Sequence, residues 1–415
     1  MPRKKSLIFS ALALVAICGF LAAPESAFAA RKEKVLHRFC SEYGCEDGRY
    51  PSDLILDAAG NLYGTTFYGG TNNFGVVFQL RPNADGTWSE KVLHNFCSLQ
   101  DCADGAYPSS GLIFDAAGNL YGVTAGGDAA GAVVYQLAPG ADGAWTETVL
   151  YTFSDGGGSP CGDLVFDAAG NLYGAADCYG DGAIFELKPQ GNGTWSEETL
   201  YAFQGGSDGS EPNGPLILDA SGNLYGTTFG GGTYNSGVAF QLTPNAGGAW
   251  SEKVLYNFCS LRNCADGAHP FFDLIFDAAG NLYSTTANGG VSNNGTIFRL
   301  SPRTNGRWKE TVLHSFHRAG NPQGLVFDAA GNLYGATAGG GPGCWRYGCG
   351  TVFQFNPATG AFRVLCALGQ GKGAHHGGGG AVPDTSLILD AAGDLYGATF
   401  RGGGHLYGVA FEVVR

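Results

Sequence analysis

The sequence Asp-Ala-Ala-Gly-Asn-Leu-Tyr-Gly, residues 57–64, recurs with small changes six more times along the chain. The seven copies begin at Asp57, Asp115, Asp167, Asp219, Asp277, Asp328 and Asp390. The intervals between successive copies are 58, 52, 52, 58, 51 and 62 residues. A period of this length is typical of propellers and solenoids, whose small units bury their apolar faces only against neighbouring units. The repeat therefore predicts one array of seven units.

Each unit carries four short segments of strand character, which we name strands a, b, c and d in chain order. In the second unit they are residues 111–115, 119–124, 132–137 and 145–153. These runs are rich in Val, Leu, Phe, Tyr and Thr, and Gly, Asn and Asp separate them, whereas no stretch keeps a helical period for three turns. Strand a is apolar on both faces, as in Leu54-Ile55-Leu56, which suits a strand covered on both sides. We expect it to be the innermost strand of a blade.

The count of strands indicates a closed ring. Strands a, b and c occur seven times, whereas strand d follows only the first six sets before Arg415. Lys34 to Phe39 matches the strand d of residues 91–96 and precedes the first strand a. If this segment pairs with the last strand c, no long edge strand is exposed. The predicted fold class is all-β, a seven-bladed β-propeller with four strands per blade, the last blade closed by the N-terminal strand.

The first 29 residues have the pattern of an export signal. Arg3-Lys4-Lys5 precedes an apolar stretch, residues 7–23, and Ala27-Phe28-Ala29 is an A-x-A cleavage motif. We expect residues 1–29 to be a signal peptide, residues 30–415 to form a single propeller domain, and the mature protein to be extracellular or periplasmic. An uncleaved membrane anchor is the alternative. No later stretch is apolar over the length of a membrane span.

The charge of the mature chain constrains its partners. Cleavage removes Arg3, Lys4, Lys5 and Glu25, which changes the formal net charge from -13 to -15. An acidic surface repels phosphates, so nucleic acid and anionic lipid are excluded as partners. We expect a monomer that binds a glycan or a protein.

Eleven cysteines remain after cleavage, and their spacing indicates disulfides. Four pairs have C-x4-C spacing: Cys40/Cys45, Cys97/Cys102, Cys259/Cys264 and Cys344/Cys349. Cys161 precedes strand a and Cys178 follows strand b of the same blade. Because strands alternate in direction, all these loops emerge on one face of the ring. We expect five disulfides, typical of an oxidising compartment, and a buried free thiol at Cys366. Zinc is the alternative, but a structural zinc needs four converging ligands, and these pairs lie on different blades.

Three signals recur in order within the units: Gly69-Gly70 after strand b, Phe78 on strand c and Trp88 at the start of strand d. This order resembles the kelch repeat. The sequence is more similar to the bacterial tandem repeat called GloVer, with G-N-L-Y-G-T-T at residues 60–66, G-T-V-F at residues 350–353 and V-L-H-S-F at residues 312–316. The resemblance covers residues 34–415 and implies an exported protein with no established activity. The chain departs from the family pattern because no sorting tail follows Arg415. Over some ten residues, the hairpin of strands a and b also resembles NHL-type and lactonase-type propellers.

Function is expected where the sevenfold pattern breaks. Asp53, Asp163 and Asp273 enter strand a in blades one, three and five, near one mouth of the central channel, whereas the other blades carry other residues there. Three carboxylates at a channel mouth could hold Ca²⁺. A solvated acidic rim is the other interpretation. We therefore expect no cofactor, with calcium as the one candidate.

A second departure is the loop between Cys344 and Cys349 in blade six, which presents Trp345, Arg346 and Tyr347. Aromatic residues and Arg are enriched at binding hot spots, so these three are candidate binding residues. A Trp that caps its own disulfide would show the same sequence. His375-His376, in a Gly-rich tract, is a weak metal signal.

No motif for a nucleophile, a phosphate loop or a metallohydrolase occurs in the sequence. The leading hypothesis is an exported, non-enzymatic propeller that binds a glycan or protein partner through its disulfide-bearing face. The alternative is a metal-dependent enzyme of lactonase or polysaccharide-lyase type, with its site at the channel mouth near Asp53, Asp163 and Asp273.

Overall fold

The computed structural model describes residues 32–126, 131–153, 158–317, 320–341, 348–369 and 379–414. Seven antiparallel four-stranded paths, one per repeat, form the blades of a β-propeller, which confirms the predicted fold class. The expected signal peptide, the candidates Trp345, Arg346 and Tyr347, and His375-His376 lie outside the described residues.

The strands follow the predicted order in every blade. Strand a spans Ile55–Leu56, Ile113–Phe114, Pro160–Phe166, Ile217–Leu218, Ile275–Phe276, Pro322–Phe327 and Ile388–Leu389. Strand b spans Leu62–Tyr68, Leu120–Val123, Leu172–Ala176, Leu224–Thr228, Leu282–Asn288, Leu333–Thr337 and Leu395–Thr399. Strand c spans Val76–Pro82, Ala132–Pro139, Ala183–Pro189, Val238–Pro244, Thr296–Pro302, Thr351–Asn356 and Val409–Val413. Strand d spans Trp88–Asn95, Trp145–Phe153, Trp195–Ala202, Trp250–Asn257, Trp308–Ser315, Ala361–Ala367 and Lys34–Arg38.

Short elements complete the loops on one face of the ring. The strands Arg49–Pro51 and Ala268–Pro270 pair with strand b of their own blades, and Gly380–Ala381 pairs with Arg401–Gly402. Single 3₁₀ turns span Gln100–Cys102 and Arg262–Cys264. Strand a of blade three begins at Pro160, so Cys161, which we predicted to precede that strand, lies inside it.

The N-terminal strand closes the ring as predicted. Strand Lys34–Arg38 pairs antiparallel with Val409–Val413, with Val35 opposite Phe411. The seventh blade therefore has the strand order d-c-b-a, like the others, although its strand d comes from the opposite end of the sequence.

Strand d of every blade has a bulge where it pairs with strand c. In blade one Val92 pairs with Phe78 and His94 pairs with Val77, so Leu93 is the extra residue. A bulge bends its strand and re-aims the side chains that follow. The His94 ring consequently lies 3.5 Å from the buried Asp104 carboxylate in the next loop.

The core consists of seven apolar clusters of buried residues. The cluster between blades seven and one joins Leu54 and Phe78 to Tyr396 and Ala410. The Phe78 ring of strand c lies over Gly64 of strand b, where an added Cβ would come within 2.7 Å of it. This close packing explains the Gly after Leu-Tyr in strand b. Because the apolar contacts join neighbouring blades, no blade buries its core alone.

Candidate functional site

Among the described residues, four disulfides lie at one face of the ring, which we call the stapled face. They join Cys40 to Cys45, Cys97 to Cys102, Cys161 to Cys178 and Cys259 to Cys264. Cys349 is also disulfide-bonded, and its predicted partner, Cys344, lies outside the described residues. Cys366 is a buried free thiol, and burial raises its pKa to about 11. The disulfides fit an oxidising, exported environment.

Backbone hydrogen bonds connect the disulfide-bonded loops to other loops of the same face. The carbonyl of Cys45 accepts the backbone N–H of Gly70 at 2.9 Å, which ties the d-to-a loop to the Gly-Gly pair after strand b. Gly69 approaches so closely that an added Cβ would lie 2.7 Å from that carbonyl. The recurring Gly-Gly pair therefore allows two loops to pack into one surface.

The opposite face is built from the seven near-identical a-to-b turns. In blade one Asp57 Oδ1 accepts the backbone N–H of Ala59 and of Asn61 at 2.9 and 2.8 Å. Asp57 Oδ2 accepts the Asn61 amide at 2.7 Å and the Tyr63 hydroxyl at 3.1 Å. Burial opposes ionisation, but these hydrogen bonds outweigh it and lower the pKa of Asp57. Both carboxylate oxygens of Asp57 accept hydrogen bonds from this turn and strand b, so this Asp stabilises the fold.

The channel carboxylates bind the backbone of neighbouring blades. Asp53 Oδ1 accepts the backbone N–H of Ser386 in blade seven at 2.6 Å, and Asp163 Oδ1 accepts that of Gly111 in blade two at 2.6 Å. Ser386 and Gly111 occupy the position in their blades that Asp53 and Asp163 occupy in theirs. These two aspartates therefore join adjacent innermost strands, a role that neither sequence interpretation included.

Asp53 and Asp163 also approach each other. A Cβ added to Gly111 would lie 2.9 Å from the Asp163 carboxylate and 3.1 Å from Asp53 Cβ, so only Gly leaves room there. Burial, followed by repulsion from Asp163 and Asp273, holds the pKa of Asp53 well above its usual range. Burial and the charge of Asp163 raise the pKa of Asp273 to about 7. The structure thus brings the three predicted aspartates into one electrostatically coupled group that is half-buried.

Electrostatic coupling of Asp53, Asp163 and Asp273 does not by itself make a metal site. Within the described ranges, no group of three or more His, Cys, Asp and Glu side chains is arranged to hold a metal ion. The arrangement favours protonation of the crowded carboxyl groups, and it positions Asp53 and Asp163 to accept backbone N–H groups of neighbouring blades.

A continuous aromatic surface covers the stapled face where blades seven, one and two meet. We call it the aromatic surface, and it consists of Arg49, Tyr50, Phe67, Tyr68, Tyr107, Phe400 and Tyr407. Tyr50 stacks on Phe400 at 4.5 Å between ring centroids, and Tyr107 stacks on Phe67 at 5.4 Å. Tyr68 contacts both tyrosines edge to face, at 6.1 Å from Tyr50 and 5.4 Å from Tyr107. The rings are half-buried or exposed, so their outer faces are accessible.

Arg49 lies at the centre of this surface. Its guanidinium carbon is 5.1 Å from the Tyr68 ring centroid and 5.5 Å from that of Tyr407, within the range of cation–π attraction. Its Nη2 donates to Asn73 Oδ1 at 3.1 Å. The guanidinium is thereby held between two rings and remains half-exposed to a ligand.

An unusual backbone conformation places two of the rings. Tyr50 and Tyr107 each precede a proline and have φ of 60° and 58°. Positive φ is uncommon for residues with a side chain. The backbone N–H of Tyr50 donates to the Tyr407 carbonyl at 2.8 Å, and that of Tyr107 donates to the Phe74 carbonyl at 2.9 Å. Each ring is therefore fixed against the loop of the preceding blade, where it meets Phe400 or Phe67.

The aromatic surface was not predicted from the sequence, although a residue pattern marks it. An X-Pro pair recurs at or just before the start of strand a in all seven blades, with X being Tyr50, Tyr107, Ser159, Glu211, His269, Asn321 and Val382. The residue after the Thr of strand b is Phe67, Phe229 or Phe400 in blades one, four and seven. His269 stacks on Phe229 at 4.6 Å in the same manner. Aromatic residues at both positions, in neighbouring blades, mark the stacked pairs.

A repeated carboxyl pair lies at four junctions between blades. Glu90, Glu147, Glu252 and Glu310 of strand d each have a buried Oε1 with no hydrogen-bond partner among the described residues. Burial, together with the charge of Asp47, Asp104, Asp208 or Asp266, raises each glutamate pKa to about 7. Four nearly equivalent copies favour a structural origin in the repeat over a catalytic one.

Comparison with protein families agrees with the geometry. The model of the Gloeobacter/Verrucomicrobia repeat matches residues 28–178, 132–321 and 176–411, and so most of the chain. The chain belongs to this family. This confirms the resemblance inferred from the repeat motifs. Curated proteins give no match to this Gloeobacter/Verrucomicrobia repeat protein.

Three solved structures match this chain at low sequence identity. A puromycin hydrolase matches with a TM-score of 0.54 and 12% identity, over 85% of this chain and 50% of its own. A protein of unknown function from Dyadobacter fermentans matches with a TM-score of 0.43 and 13% identity, over 92% of this chain and 98% of its own. A structural-genomics target provisionally named a gluconolactonase matches with a TM-score of 0.41 and 16% identity, over 74% of this chain and 89% of its own. The likeness to the puromycin hydrolase shows the fold alone.

In the part of the chain that the structure describes, no helix has the length and apolar character to cross a bilayer.

Proposed function

We propose that this Gloeobacter/Verrucomicrobia repeat protein is an exported, non-catalytic β-propeller that binds a glycan or protein partner on its stapled face. The observation that carries the proposal is the aromatic surface. Tyr and Arg are enriched at the centres of binding interfaces, and stacked rings lose little side-chain entropy when a partner covers them. The same rings can pack against the apolar face of a sugar.

The stapled face also has the variation that recognition needs. Its loops differ between blades, and disulfides hold four of them. Loops carried on a rigid scaffold are the common site of binding residues. The opposite face repeats one turn seven times and presents few features that distinguish ligands.

A binding screen with matched variants tests the proposal. The mature protein would be screened on a glycan array and by pull-down from the medium of its own cells, and each hit would be measured by calorimetry. Tyr107→Ala should weaken the interaction by about 2 kcal/mol if the ring is an anchor. His269→Ala is the control, because His269 has the same positive φ and the same stacking on a Phe but lies outside the aromatic surface. Equal affinity in both variants would refute the site.

Trp345, Arg346 and Tyr347 remain a second set of candidate binding residues. Trp345→Ala with Tyr347→Ala should leave the fold intact, since the sequence pattern predicts no strand at either position. A loss of affinity in this variant, and none in Tyr107→Ala, would move the binding site to blade six.

A metal-dependent enzyme is the second candidate function, and the coupled group of Asp53, Asp163 and Asp273 is what favours it. Calcium between these carboxylates would relieve the repulsion that, after burial, raises the pKa values of Asp53 and Asp273. Titration with Ca²⁺ should then raise the melting temperature of the wild type, and Asp163→Asn should abolish the effect. A melting temperature that does not change up to millimolar Ca²⁺ would contradict the metal-dependent function and leave only the binding function.

A further inference from the structure

The outer edge of the ring carries a groove between blades four and five with a volume of about 490 Å³, within the usual range of ligand sites. Its aromatic walls are Tyr256 of blade four and Trp308 of blade five, both half-buried. Arg303, Arg307 and Lys309 line the same groove, and all three side chains are exposed. This groove is far in sequence from every residue of the aromatic surface.

The three cations break the repeat. At the positions of Arg303, Arg307 and Lys309, blade one has Asn83, Thr87 and Ser89, and blade four has Asn245, Ala249 and Ser251. The same positions are uncharged in blade two, with Gly140, Ala144 and Thr146, and in blade three, with Gln190, Thr194 and Ser196. The local fold is the same, because Arg303 N–H donates to the Arg307 carbonyl at 2.8 Å just as Asn83 N–H donates to the Thr87 carbonyl at 2.8 Å. The fold therefore does not require positive charge at these positions.

The cations are also available to a ligand. Of the carboxylates in the described ranges, none lies within 4.0 Å of a charged nitrogen of Arg303, Arg307 or Lys309. Glu310 also lines the groove; burial, followed by the charge of Asp266, raises its pKa to about 7, and the charge of Lys309 acts in the opposite direction. Asp266 is fully buried and is bound by the Tyr256 hydroxyl at 2.6 Å. The groove therefore presents three positively charged side chains on a protein whose formal net charge is -13.

We infer that this groove is a binding site for an acidic oligosaccharide, a sugar chain that carries carboxylate or sulfate groups. The indole of Trp308 and the ring of Tyr256 offer flat apolar surfaces for sugar rings, and the guanidinium groups of Arg303 and Arg307 match the bidentate geometry of carboxylate and sulfate oxygens. A nucleic acid fits less well, since the acidic remainder of the surface repels a dense row of phosphates. The site is independent of the one proposed on the stapled face.

The test uses the repeat as its own control. Tetragalacturonate, its methyl ester, a heparin tetrasaccharide and an eight-nucleotide thymidine strand would each be titrated by calorimetry at low salt. At least one acidic oligosaccharide should bind, and the methyl ester should bind about tenfold more weakly or not at all, since a lost charged hydrogen bond costs about 1.5–3 kcal/mol. Arg303→Asn with Arg307→Thr and Lys309→Ser, the residues of blade one, should reduce affinity at least about tenfold. Tyr107→Ala should have no effect.

A transplant gives a second, independent readout. Asn245→Arg with Ala249→Arg and Ser251→Lys would place the same cations beside Trp250 and Tyr201, at the junction of blades three and four. This variant should bind a second equivalent of the same oligosaccharide. The inference is overturned if neither acidic oligosaccharide binds at millimolar concentration, if the methyl ester binds equally, if the thymidine strand binds more tightly, or if neither set of substitutions changes affinity or stoichiometry.

Discussion

Lys34 Nζ lies 2.9 Å from Glu412 Oε2, which joins the first strand of the ring to its last. The two residues are 378 positions apart in the sequence and directly opposite each other in the ladder. Lys34 is 48% exposed, so this ion pair is worth at most about 1 kcal/mol, and the strand pairing around it is what closes the ring.

Deletion of residues 30–40 should open the ring. It removes strand Lys34–Arg38 together with Leu36 and Phe39, which are buried between blades seven and one. Strand Val409–Val413 would then be an exposed edge, and such edges promote association. We expect a lower melting temperature by calorimetry and aggregates by light scattering. Lys34→Ala is the control and should lower stability by less than about 1 kcal/mol. A monomeric deletion variant with unchanged melting would show that closure is dispensable.

Cysteine chemistry gives a second prediction. Cys366 should be the one cysteine of the mature exported protein that iodoacetamide modifies after unfolding without reductant. In the native state it should resist modification, because burial raises its pKa to about 11 and thiols react as thiolates. Mass spectrometry of the non-reduced protein should also identify a peptide pair that joins Cys344 to Cys349. Bound zinc together with several reactive thiols would contradict this assignment.

The turns between strands a and b give a third prediction, about stability. Asn61→Asp should destabilise the protein by about 1–3 kcal/mol at pH 7, because it removes the 2.7 Å bond to Asp57 Oδ2 and places a second carboxylate beside Asp57. Asn61→Ala separates the two causes, since it removes the bond without adding charge. Urea denaturation should rank wild type above Asn61→Ala and Asn61→Asp lowest. The difference in unfolding free energy between the two variants should narrow below about pH 4, where the introduced carboxyl of residue 61 takes up a proton and no longer repels Asp57. An unchanged gap at low pH would argue against repulsion.

The sequence predicted the number of blades and the order of their strands, and most of what it missed depends on contacts between units. The spacing of Asp57 and its equivalents determines the number of blades, and the C-x4-C spacing places Cys40 near Cys45 whatever the ring geometry. The bulge at Leu93 lies within one unit, but no distinct residue pattern in the sequence marks it. The bonds from Asp163 to Gly111, and the stacking of Tyr50 on Phe400, join residues 52 and 350 positions apart. Such contacts depend on the angle between neighbouring blades, which only the closed ring determines.

The four glutamates at the blade junctions predict how stability changes with pH. Glu90, Glu147, Glu252 and Glu310 have a pKa of about 7 in the folded protein, against an ordinary value of 4.5. Between these values the folded protein binds more protons than the unfolded chain, so stability must fall as pH rises from about 4.5 to 7. His314 has the opposite sign: burial lowers its pKa to about 4, so its contribution increases with pH up to about 6.5.

A quadruple Glu→Gln variant at these positions isolates the glutamate contribution. Glutamine keeps the shape of the side chain and cannot ionise, so the variant should melt at a higher temperature than the wild type at pH 8, on the order of 5 °C, and the difference should shrink toward pH 5. The channel aspartates and His314 are the same in both proteins, so their contributions to the pH dependence of melting cancel in the comparison. Melting would be followed by calorimetry at half-unit steps from pH 5 to pH 8. A difference that stays constant with pH would mean that these glutamates are ionised throughout, and that the junctions between blades accommodate their charge.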